Sequence, residues 1–74
     1  MLVTKNDYVV RIKDRAVFRV ILADAEEFAV ARSYYNARDI CWTTDYGYIS
    51  AFSNMESINT LEDLGFRKAG AQVA

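Results

Sequence analysis

The chain has 74 residues, 53% hydrophobic and 26% charged, with nine Lys and Arg against ten Asp and Glu for a net charge of −1. That composition folds, which excludes a disordered tail, and its near-neutral balance excludes a strong global field for nucleic acid or for an anionic membrane. There is no histidine, so the commonest general base near neutral pH and the commonest zinc ligand are both missing.

The length suits a single domain over residues 1–74, whose small core supplies a net stability of roughly 3–5 kcal/mol. Cys41 is the one cysteine and cannot form an internal bridge, which points to a reducing compartment and a cytoplasmic location. No apolar run approaches the roughly 20 residues that cross a bilayer, and the N-terminus lacks a signal-peptide pattern, so no membrane partner is expected.

In chain order, Tyr8 to Lys13 alternates at period two, and Val17 to Leu22 follows after a polar break. These read as two strands of a hairpin. A three-residue turn, Asp14 to Ala16, puts Tyr8, Val10 and Ile12 on a core face with Phe18, Val20 and Leu22. Arg11, Lys13 and Arg19 then share the other face with Val9, Val17 and Ile21.

Asp24-Ala25-Glu26-Glu27 matches a capping box, so the main helix is expected to begin there and to run to about Ala37. Its wheel gathers Ala25, Phe28, Ala29, Ala31 and Tyr35 into one stripe. Ile40 to Phe52 reads as a second hairpin with its turn at Asp45-Tyr46-Gly47 and apolar side chains on both faces. Thr60 and Gly65 bracket a short C-terminal helix that Ile58, Leu61, Leu64 and Phe66 would anchor, and residues 68–74 read as a flexible tail. The expected fold class is α+β. An antiparallel sheet of about four strands in two hairpins packs on one main helix, with a short C-terminal helix and the order ββαββα.

No catalytic, cofactor or metal constellation emerges. Cys41 has no base or cationic neighbour in sequence and reads as a small core residue. Asp24 with Glu27, and Glu62 with Asp63, are explained by capping or by a solvated face. The three glycines form no phosphate loop. The chain therefore reads as a non-enzyme without cofactors.

A hairpin that is apolar on both faces has one face left over for a partner. The expected function is a small protein-binding module that acts by occupying another protein's surface through Trp42, Tyr46, Tyr48, Tyr34 and Arg32, residue types that carry interface energy. In size and element order the chain is similar to small phage-encoded inhibitors of host enzymes, some anti-CRISPR proteins among them. That resemblance implies inhibition of a host enzyme or of CRISPR machinery. One alternative is a nucleic-acid-binding domain using Arg11, Lys13, Arg15 and Arg19, with nucleic acid the weaker choice because no rings interleave with them on the assumed face. The other is a self-associating accessory protein that forms a homodimer.

Overall fold

The computed structural model describes residues 3–53 and 60–69. The elements are β1 (Tyr8–Arg11), β2 (Val17–Ala23), β3 (Glu27–Asn36), β4 (Cys41–Ser53), a 3-10 turn (Leu61–Leu64) and β5 (Phe66–Lys68). All five strands form one antiparallel sheet in the order β4-β3-β2-β1-β5. The expected sheet-on-helix arrangement is overturned, because the segment read as the main helix is β3, between β2 and β4. With the helix goes the element order on which the likeness to phage inhibitors rested.

The reason lies at Asp24. Its carboxylate accepts from the amides of Glu26 and Glu27, at 2.9 and 2.7 Å, as a helix cap would. In a capping box, however, the Asp24 amide would be met by the Glu27 side chain. Here it donates to the Glu27 carbonyl at 3.0 Å, which closes a hairpin turn instead of opening a helix. Past the turn, residues 27–36 alternate cleanly. Phe28, Val30, Arg32 and Tyr34 lie on one face, and Ala29, Ala31, Ser33 and Tyr35 on the other. A helix this short is marginal in isolation, whereas a central strand is paired on both sides, so pairing overrides the helix preference of its alanines.

The expected second hairpin is also corrected. Residues 41–53 are one long strand whose partner is β3, and the reversal lies at 37–40. Asp45-Tyr46-Gly47 forms an irregularity within β4: Ala31 pairs with Ile49 and Arg32 with Asp45, leaving residues 46–48 as an insertion. The Gly47 amide donates to Asp45 Oδ1 at 2.9 Å, so the turn chemistry read from sequence bends the strand without reversing it.

The first hairpin has a different register from the expected one. Val9 pairs with Phe18, Tyr8 with Arg19 and Val10 with Val17. A four-residue connection, Ile12 to Arg15, is closed by Arg11 N donating to the Ala16 carbonyl at 2.8 Å. Its shape is held by Arg11 donating to Asp14 at 3.0 and 2.7 Å and by the left-handed φ of 62° at Arg15. Moving the register by an odd number of residues exchanges the faces of β1, so Val9 is buried while Ile12 is 48% exposed; Leu22, 38% exposed, changes face at the irregularity in β2 between Val20 and Leu22.

The first face of the sheet carries the main core: Val9, Phe18, Val20, Phe28, Val30 and Phe66, with Phe52, Leu61 and Leu64 packed against it. Phe52 on β4 and Phe66 on β5 belong to opposite edges of the sheet, yet their ring centroids are 6.1 Å apart. Four flat strand spacings would separate them by roughly 19 Å, so the sheet curls over this face like an open barrel. The 3-10 turn helps to close it. Thr60 caps the turn reciprocally with Asp63, and Gly65 ends it at φ 89°, both as the sequence indicates, although the element is a single 3-10 turn and not an α-helix. Lys68, assigned to the tail, belongs to β5, and the Ala69 amide bonds the Tyr8 carbonyl at 3.0 Å. Ile58 and residues 70–74 lie outside the described residues. Among the described residues no helix is long and apolar enough to cross a membrane.

Candidate protein-interaction surface

The residues expected to meet a partner lie on the β3–β4 ribbon but divide between its two faces. On the first face, Tyr34, Arg32 and Tyr48 come together. The Arg32 guanidinium lies 4.4 Å from the Tyr34 ring centroid and 5.6 Å from that of Phe18. It also donates to the Val17 carbonyl at 2.7 Å and to the Ser33 carbonyl. Tyr48 sets its ring edge-on to Phe18 at 6.1 Å. It can cross β3 because the insertion at 46–48 turns this part of β4 inward. Tyr34 is 47%, Tyr48 46% and Tyr46, within the insertion, 64% exposed.

Trp42 is on the second face and is half-buried. It packs against Tyr35 at 5.6 Å and Tyr8 at 6.0 Å. Tyr8 is on β1, three strands away, and its ring meets Trp42 across a floor of small residues. Ala31 and Ser33 are enclosed beneath at 0% and 1% exposure. Trp42 is therefore mainly structural, a second small core on the reverse of the sheet. Cys41, expected in a core, is exposed at the start of β4.

The four basic residues read as one patch are dispersed. Arg11 lies on the first face, 5.0 Å over Phe18, and its guanidinium is engaged by Asp14. Arg19 lies on the second face, 5.8 Å over Tyr8, with a buried Nε that has no partner. Lys13 and Arg15 are exposed in the connection between β1 and β2. Rings do accompany Arg11 and Arg19, contrary to the sequence reading, but on opposite faces, and the Arg11 guanidinium is already engaged by Asp14.

The Asp14 carboxyl is held well below its ordinary range, first by the Arg11 bonds and then by the Ala16 amide. Asp24 is lowered by the amides of Glu27 and Glu26. Both belong to turns and not to a reactive cleft. Among the described residues, no group of three or more Cys, Asp or Glu gathers as a metal site. Tyr35 and Ile40, 51% and 78% exposed, are surface residues that the expected helix stripe and strand conceal. Comparison of the chain with protein-family models, with curated proteins and with solved structures returned no match.

Proposed function

We propose that this protein is a non-enzymatic binding module that acts by covering part of another protein's surface with the first face of its β3–β4 ribbon. The observation that carries this reading is Tyr34, 47% exposed, stacked on an Arg32 guanidinium already fixed in place, with Tyr48, 46% exposed, edge-on to the Phe18 ring that the same guanidinium covers and Tyr46, 64% exposed, in the adjacent insertion. Tyrosine offers large contact area for little lost rotamer freedom. Arg32, stacked and hydrogen-bonded in the free protein, has little ordering left to undergo on association. The nucleic-acid alternative is weaker, because Arg11 is engaged by Asp14, Arg19 lies on the opposite face from Arg11, and Lys13 and Arg15 are in the connection between β1 and β2.

The test is affinity capture from the source cells with immobilised wild-type protein, with Tyr34→Ala and Tyr48→Ala, and with Ile12→Ala as a control of similar exposure elsewhere. Each tyrosine truncation is expected to cost about 2 kcal/mol of binding, so proteins held by the wild type and the control are lost from both variants. Equal capture by all four would reject this surface. Retention on single-stranded DNA that falls steeply between about 50 and 200 mM salt would replace the reading with the nucleic-acid one.

A further inference from the structure

The outer edge of β4 is a second surface, distinct from the ribbon face. Among the described residues no strand pairs with it. Natural sheets blunt such edges with brevity and charge. The opposite edge does both, since β5 is three residues long and includes Arg67 and Lys68. Along β4 the insertion at 46–48 interrupts the edge, but the five residues before it carry a single charged side chain, Asp45, at their far end. Its first part, residues 41–45, pairs regularly with β3, ahead of the irregularity at 46–48.

We infer that this edge pairs antiparallel with the same edge of a second copy, across a two-fold axis through Thr43. An axis normal to a sheet keeps each side chain on its own face, which suits an isologous contact. Thr43 is the midpoint of the regular stretch between Cys41 and the insertion after Asp45. In this register Thr43 meets Thr43 of the second copy, Trp42 meets Thr44, and Cys41 meets Asp45. Ile40 and Tyr46, 78% and 64% exposed, flank this stretch, one in the 37–40 turn and the other in the insertion. No charge faces its like. Moving the axis to Asp45 would oppose Asp45 with itself. The two first faces end up on one side of a continuous sheet, so a dimer presents two copies of the Tyr34–Arg32–Tyr48 patch side by side.

Sedimentation equilibrium of the purified full chain, from micromolar to near-millimolar concentration, is expected to show the mass rising from 8.4 kDa toward twice that value. Thr43→Lys, an exposed position, sets like charges across the axis and is expected to weaken self-association at least tenfold with an unchanged circular dichroism spectrum. In a Cys41→Ser background, Thr43→Cys is expected to give an oxidised covalent dimer while Ser53→Cys does not, and this comparison decides the matter if Thr43→Lys does not fold. A wild-type monomer throughout that range, undiminished association of folded Thr43→Lys, or equal cross-linking of the two cysteine variants would each overturn the inference. None of these outcomes bears on capture of a foreign protein, so the two readings fail independently.

Discussion

Ser33 illustrates how much depends on single side chains here. It lies on the small-residue floor beneath the Tyr8, Tyr35 and Trp42 rings, 1% exposed, with a hydroxyl that has no hydrogen-bond partner. A buried hydroxyl without a partner costs roughly 1–3 kcal/mol relative to a satisfied one. Ser33→Ala keeps the small volume that lets the rings close and removes the penalty. It is expected to raise stability by about 1 kcal/mol, seen as a higher urea midpoint with unchanged slope. A fall of similar size would mean that the hydroxyl is satisfied.

At the scale of elements, the connections carry the specificity, and two of them depend on an aspartate. Asp14 braces the β1–β2 connection and Asp24 the β2–β3 turn, and both carboxyls titrate below their ordinary value of 3.8. The folded chain therefore binds fewer protons than the unfolded one in that range. Their stabilisation is fully present above 3.8 and is lost as the pH falls through it toward the folded values. The thermal midpoint is expected to drop on acidification below that point, and Asp14→Asn should flatten part of the drop. An Asn variant with the wild-type pH profile would remove Asp14 from this role. Aspartate chemistry of this kind fits more than one backbone path. The Asp24 hydrogen bonds to Glu26 and Glu27 suit both a helix start and a hairpin turn, and Asp45 with Gly47 suits both a reversal and an insertion. The choice is made by what the following residues pair with. Thr60 and Gly65 were legible because a cap and a left-handed glycine end any short helical turn, whatever surrounds it.

For the whole molecule, one contact ties the two edges of the sheet together. Phe66 on β5 touches both Phe18, at 5.5 Å, and Phe52, at 6.1 Å, and closes the curl over the first face. Phe66→Ala is expected to cost about 3–5 kcal/mol. A domain this small has a net stability of only about 3–5 kcal/mol, so the variant should be largely unfolded at room temperature while Phe66→Leu stays folded. Near-ultraviolet circular dichroism checks this, and a cooperatively folded Phe66→Ala would show that the curl does not depend on that ring.

The amino-acid sequence alone indicated strands over Tyr8 to Lys13 and Val17 to Leu22, which form at Tyr8–Arg11 and Val17–Ala23, and the Thr60 cap and Gly65 stop of the short turn near the C-terminus. Each is a local property, set by alternation or capping. Tertiary structure decided that residues 27–36 are a strand, that 41–53 form one strand and not two, and which face each arginine takes. Those outcomes depend on pairing register and on rings meeting across several strands. Such contacts join residues far apart in the chain, and no short window of sequence encodes them.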